Sequence, residues 1–105
     1  MVFIMGTRLE LHEVLCRLLG SDNCYFQPPA SIQMKYPAIV YSRSNIENRF
    51  ANNSVYKQDT AYEIIVIDKD PDSEIAAAVS KLPKCRFNRH YTADNLNHDA
   101  FTLYY

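Results

Sequence analysis

The sequence predicts an α+β fold in which two helices pack on a mainly antiparallel sheet, in the order α-β-β-α-β-β. Two segments carry apolar residues at helical spacing, and four carry the alternating or continuous apolar patterns of strands. A short polar stretch joins the last two strands, as in an antiparallel pair. At 105 residues, the chain is predicted to form a single domain over residues 1–105.

Residues 7–19 are predicted to form the first helix, and Gly20 follows where a left-handed residue ends a helix. Its buried stripe consists of Leu11, Val14, Leu15, Leu18 and Leu19. Leu9, His12 and Cys16 widen the apolar surface beyond what one sheet contact needs. We therefore predict that these three residues contact another chain.

Residues 21–36 show no clean period and are interpreted as a structured connection, held extended at two consecutive prolines. Residues 37–43 form a strand candidate, in which Ile39 and Tyr41 alternate with Ala38 and Val40.

The polar, Asn-rich segment 45–59 is predicted to be a protruding hairpin or a flexible loop. Because it has few apolar anchors, we expect it to be the most mobile part of the isolated protein and to order on assembly. Arg49, Phe50 and Tyr56 within it are predicted interface residues.

Residues 60–68 are predicted to form a central strand covered on both faces, because Ile64, Ile65, Val66 and Ile67 are consecutive apolar residues. All four are expected to be substantially buried.

A second helix is predicted to begin at Asp70-Pro71, with Asp as the cap and Pro at the first helical position, and to end at Pro83. Residues 85–91 form a strand candidate with period-two alternation, residues 92–97 a turn, and residues 100–105 the last strand. Tyr104, on the aromatic flank of that strand, is a further predicted interface residue.

Charge and cysteine content exclude several classes of protein. Eleven basic and twelve acidic residues give a net charge of −1, which argues against binding to nucleic acid or an anionic membrane, including through Arg43, Arg49, Arg86 and Arg89. Three widely spaced cysteines indicate reduced thiols in a cytosolic compartment. We expect no signal peptide, because the first residues lack a basic segment and a long apolar one, and no transmembrane helix, because no run of about 18 apolar residues occurs.

Three patterns resemble chemical sites and are interpreted as structural. His12 and Cys16 have the spacing of a metalloprotease helix but lack the second His and a third ligand. Residues 68–72 resemble a calcium loop but lack its Gly and its Glu. His90, His98 and Asp99 leave open a small metal-dependent enzyme as the alternative from another class. We predict no catalytic, cofactor-binding or metal-binding residues.

Several segments resemble small proteins of siphophage and prophage head–tail modules. These are YPAIVY at 36–41, the polar loop ANN at 51–53, YEIIVID at 62–68 with DPDS at 70–73, and the stretch from 87 to 105. The first helix and the YP-x-[IV]-V-Y strand are similar to the tail completion, or tail terminator, family. These motifs are structural signatures and cover most of the chain.

The resemblance implies an α+β sandwich that assembles into a ring, typically a hexamer, at the head-proximal end of the tail tube. Such a protein ends tube growth and joins the tail to the head connector, so the implied partners are further copies of itself, the major tail tube protein and the head–tail connector protein. It would be made in the bacterial host cytoplasm and located in the virion. A connector or minor capsid component of the same module remains an alternative.

Overall fold

In a computed structural model of the chain, which describes residues 3–4, 8–29, 31–51 and 54–105, two helices cover one face of a six-stranded sheet. Side chains are described for all of these residues except 3–4, 47–51 and 54–59. The elements are β1 (Phe3–Ile4), α1 (Arg8–Leu19), β2 (Cys24–Phe26), β3 (Ala38–Ala51), β4 (Ser54–Asp68), α2 (Glu74–Ser80), β5 (Cys85–Ala93) and β6 (Leu96–Tyr104). The predicted α+β class is confirmed.

The strand order is β2-β3-β4-β6-β5, and β1 pairs with β4 beyond the end of β6. The long strands pair antiparallel, whereas β1–β4 and β2–β3 are parallel. Neither short strand was predicted, and β2 lies inside the segment interpreted as a connection. Two or three residues are too few to show a period, and their strand geometry comes from the neighbours with which they pair.

The core lies between the helices and the face of the sheet that they cover. Ile64 and Val66 on β4 are fully buried there, together with Leu11 and Leu15 of α1 and Val79 of α2. On the opposite face, which we call the open face, Ile67 is buried and Ile65 is half-buried. The prediction of cover on both faces therefore holds for three of the four residues, and the open face is covered only in part.

The first helix follows its predicted pattern, with Thr7 outside the described residues. Gly20 ends it with φ of +77° and a hydrogen bond from its N–H to the Cys16 carbonyl at 2.8 Å. Such a φ suits glycine because it has no Cβ to clash.

The second helix begins later than predicted. Ser73, not Asp70, is its cap: the buried Ser73 hydroxyl accepts a hydrogen bond from the Ala76 N–H. The preceding carboxylates serve a turn instead, since Asp68 accepts from the Asp70 N–H at 3.1 Å and Asp70 from the Asp72 N–H at 2.9 Å. The Asp70-Pro71 start was wrong because Asp side chains bond to the backbone two residues on as readily as they cap helices.

A bulge at Asn88 breaks the predicted alternation of β5. Phe87 pairs with Phe101, and Arg89 with the next residue of β6, Ala100. One residue is therefore extra, and every later position changes face. Cys85 and Phe87 lie on the helix side with the core, whereas Arg89 and Tyr91 lie on the open face.

Candidate assembly surfaces

The hairpin of β3 and β4 continues well past the rest of the sheet. We call its outer part, residues 46–51 and 54–60, the arm; its register runs over six pairs, from Ile46↔Thr60 to Ala51↔Ser54, with Tyr56 as an extra residue between the pairs Arg49↔Lys57 and Phe50↔Val55. At about 3.3 Å per residue the arm is about 20 Å long. It accounts for much of the elongated shape of the protein, which measures 51 × 26 × 22 Å.

Most of the arm has only two strands. Strand β2 pairs with β3 no further than Tyr41, β6 ends opposite Ala61, and β1 flanks β4 only at Lys57 and Gln58. A two-stranded ribbon is at best marginally stable in water by itself. Most of the arm therefore receives little support from neighbouring strands.

The backbone register divides the arm positions by charge. The open-face positions include two cross-strand pairs of like charge, Glu47↔Asp59 and Arg49↔Lys57. The positions on the helix side carry no charge: Ile46↔Thr60, Asn48↔Gln58 and Phe50↔Val55, with Ile4 of β1 opposite Gln58. We call this second set the uncharged face.

The arm leaves the body at a bulge. Arg43 pairs with Tyr62 and Asn45 with Ala61, so Ser44 is an extra residue in β3. The Ser44 hydroxyl donates to the Ala61 carbonyl at 3.1 Å and secures this point. Bulges bend a strand and increase its twist, so Ser44 sets the direction of the arm.

An apolar cavity of about 180 Å³, which we call the cleft, lies between α1, the turn before β5 and the end of β6. It adjoins the base of the arm, because the Tyr105 N–H donates to the Thr60 carbonyl at 3.0 Å. Its lining consists of Val14, Leu82, Pro83, Lys84, Leu103, Tyr104 and Tyr105. The predicted interface residue Tyr104 is therefore half-buried at this cleft.

Of the three residues predicted to widen the partner-facing surface of α1, only Leu9 is largely exposed, at 64%. The Nδ1 atom of His12 lies 2.7 Å from the Tyr41 hydroxyl and shares a hydrogen bond with it. Cys16 is a free cysteine that packs against the core, and its thiol shares a hydrogen bond with the thiol of Cys24. His12 and Cys16 are thus half-buried and engaged within their own chain.

Burial is the main influence on the pKa values of Cys24 and Tyr41, the partners of Cys16 and His12. It raises the pKa of Cys24 from 9.0 to about 12, with further contributions from the Cys16 hydrogen bond and nearby negative charge. Burial also raises the pKa of Tyr41, and the hydrogen bond and positive charge of Arg8 act in the opposite direction. Both groups stay protonated at neutral pH.

His90, His98 and Asp99 do not form one site. His90 Nδ1 lies 2.7 Å from Asp99 Oδ1, with the His90 side chain 40% exposed. His98 stacks on Tyr91 with ring centroids 4.8 Å apart. Since neighbouring strand residues point to opposite faces, His98 lies across the sheet from that pair. Within the parts of the chain that the structure describes, no group of three His, Cys, Asp or Glu residues is arranged to hold a metal ion.

The side chains of Arg49, Phe50 and Tyr56, predicted as contacts, lie outside the described ones. The sequence reasoning did not single out the exposed apolar residues Ile46 and Phe87, which are 45% and 52% exposed. Ile46 lies in a polar stretch with no visible period, and the bulge at Asn88 hides the edge position of Phe87. The cleft could not be predicted, because its lining comes from three separate segments.

No protein-family model matches the chain, and no curated protein matches it. Among the described helices, none is both long and apolar enough to cross a membrane.

Proposed function

We propose that this chain is a structural protein of a phage or prophage tail, which completes the tail tube as a ring of identical subunits and joins it to the head connector. The observation that carries the proposal is the arm: a strand pair about 20 Å long that continues past the rest of the sheet and leaves Ile46 45% exposed at its base. An isolated subunit gains little from such a ribbon, whereas a subunit of an assembly gains a contact surface.

Two further features support an assembly role. The cleft gives each subunit an apolar recess beside the base of the arm. Strand β5 pairs only with β6 on the described part of the sheet and exposes Phe87 at its edge. Together with the resemblance of the first helix and residues 36–41 to the tail completion family, these features favour a ring subunit, for which the resemblance suggests six copies.

Electron microscopy of particles made without this protein tests the proposal. Overlong tails are the expected result, because nothing would then end growth of the tube. Full heads without tails would assign the chain to the connector or minor capsid components of the same module. Normal particles of normal tail length would refute both roles.

A binding experiment gives an independent test of the partners. Purified protein mixed with tail tubes should bind at one end of each tube, visible by negative-stain imaging. Analytical ultracentrifugation over a concentration series measures association of the protein alone. A strict monomer that also fails to bind tubes would contradict the proposed function.

A further inference from the structure

We propose that the uncharged face of the arm seats in the cleft of a second copy of this chain. This contact would be the one that joins the subunits in the proposed function. That the contacts close into a ring rests on that function. Each copy brings one arm and one cleft, so unlike surfaces meet and the same pairing repeats from copy to copy.

The distribution of charge decides which face of the arm docks. On the open face, acidic and basic positions follow one another along the ribbon, and such a face is suited to water. The uncharged face offers Ile46, whose side chain is 45% exposed, and the aromatic position Phe50. Burying this face against a partner removes apolar surface from water and desolvates no charged residue.

The cleft has the size and chemistry to receive that face. A cavity of about 150 Å³ lined by apolar side chains admits benzene, and the cleft measures about 180 Å³. One aromatic ring therefore fits, and Phe50 is the aromatic position of the uncharged face. Lys84, the cation among the lining residues, already interacts within its own chain.

Charge does not oppose this contact. Glu13 and Arg17, of opposite sign, are both exposed on α1 on either side of Val14 of the cleft. The arm turns its uncharged face to the cleft, and its charged pairs, including Arg49↔Lys57, stay on the open face in water.

The arm of the same chain cannot fill the cleft. The cleft adjoins Thr60 at the base of the arm, and Phe50 lies four residues further out than Ile46, or about 13 Å along extended backbone. Folding back would break the cross-strand pairing. The two shorter dimensions of the protein are 26 and 22 Å, so an arm about 20 Å long reaches most of the way across a neighbouring copy.

The area of the contact sets its strength. One face of a ribbon about 20 Å long and 10 Å wide covers about 200 Å², well below the roughly 800 Å² per partner of a stable interface. A single arm–cleft contact is therefore weak, and self-association should appear only at high protein concentration or when a tail tube collects the copies.

Photo-crosslinking of the full chain tests the contact directly. Benzoylphenylalanine is placed at position 50, and position 47 on the charged face serves as the matched control. A mixture of ¹⁴N- and ¹⁵N-labelled protein is irradiated at high concentration, and mixed-isotope crosslinks identify pairs of different copies. Position 50 should crosslink to residues 82–84 or 103–105 of another copy, and position 47 should not. Absence of these crosslinks, or crosslinks elsewhere in their place, would overturn the proposal.

A complementation experiment tests that the contact joins unlike surfaces. Phe50→Asp disrupts the arm, and Val14→Arg disrupts the cleft. The self-association constant of each variant alone should be at least about tenfold lower than that of the unchanged chain. Their equimolar mixture should form one-to-one dimers, because an intact arm then meets an intact cleft. Variants that associate normally, or a mixture that stays monomeric, would refute the contact. Should Val14→Arg unfold, as circular dichroism would show, Tyr105→Asp replaces it.

The two proposals fail in different ways. Unchanged protein that caps tail tubes without arm–cleft crosslinks would retain the proposed function and lose this contact. Protein that shows the crosslinks and complementation, yet leaves tail length unchanged when absent from particles, would retain the contact and lose the function.

Discussion

Replacing Ile64 by Ala should destabilise the protein far more than the same change at its neighbour Ile65. Ile64 is fully buried, and its register partners Tyr41 and Phe101 are also core residues. The three carbons lost represent about 2.4 kcal/mol of transfer free energy. The substitution also leaves a cavity next to the Tyr41 and Phe101 rings, which raises the loss in free energy of unfolding to about 3–4 kcal/mol. Ile65 is only half-buried on the open face, so its loss should cost about 1–2 kcal/mol, below the value of about 2–4 kcal/mol expected for a fully buried residue.

Urea unfolding followed by circular dichroism measures both costs. With a slope of about 2 kcal/mol per molar urea, Ile64→Ala should lower the midpoint by about 1.5–2 M and Ile65→Ala by less than about 1 M. The slopes should not change. Equal shifts for the two variants, or a larger shift for Ile65→Ala, would refute the assignment of Ile64 to the covered face of the sheet.

Three further predictions concern single side chains. Tyr41→Phe, which removes the hydroxyl bonded to His12, should cost about 0.5–1.5 kcal/mol in thermal denaturation. Burial raises the pKa of Cys24 from 9.0 to about 12, so the stability due to its neutral thiol is present below about pH 9 and lost as the pH rises toward 12. Urea midpoints between pH 8 and 11 should therefore fall less steeply for Cys24→Ala than for the unchanged chain. Asn95 has φ of +62° in the turn between β5 and β6. Asn95→Val should cost about 1–2 kcal/mol, and Asn95→Gly should leave the melting temperature unchanged or raise it.

The elements that could be predicted are those with enough residues to show a period. Helix α1 and the long strands repeat an apolar pattern over several turns or pleats, and burial of that pattern decides their structure. Strand β2 has three residues, and helix α2 has seven. For such short elements the outcome depends on a partner strand or on which of several capping side chains is used. Ser73 took that role, and the preceding Asp residues formed a turn.

Bulges set the remaining limit. An extra residue at Ser44 or Asn88 reverses which face later positions occupy. Neither serine nor asparagine is specific to bulges, so the sequence does not reveal them. The location of the arm was predictable, because residues 45–59 are too long and polar for a tight turn. Its pairing was not, since hairpin and loop remained equally open. The cleft depends on the docking of α1 beside the end of β6, which only the folded chain reveals.

The bulge at Ser44 bears on how many copies a closed assembly contains. In a ring joined through the arms, the angle between arm and body fixes the rotation from one copy to the next, and a ring closes only when that rotation divides the full circle. For six copies the rotation is about 60°, and for seven it is about 51°. The two rotations differ by only about nine degrees, and a bulge both bends its strand and increases the local twist. In an assembly joined through the arms, curvature at the bulges of the arm would therefore set the subunit number, and deletion of Ser44 would straighten the strand and alter ring size or open the ring into a helix.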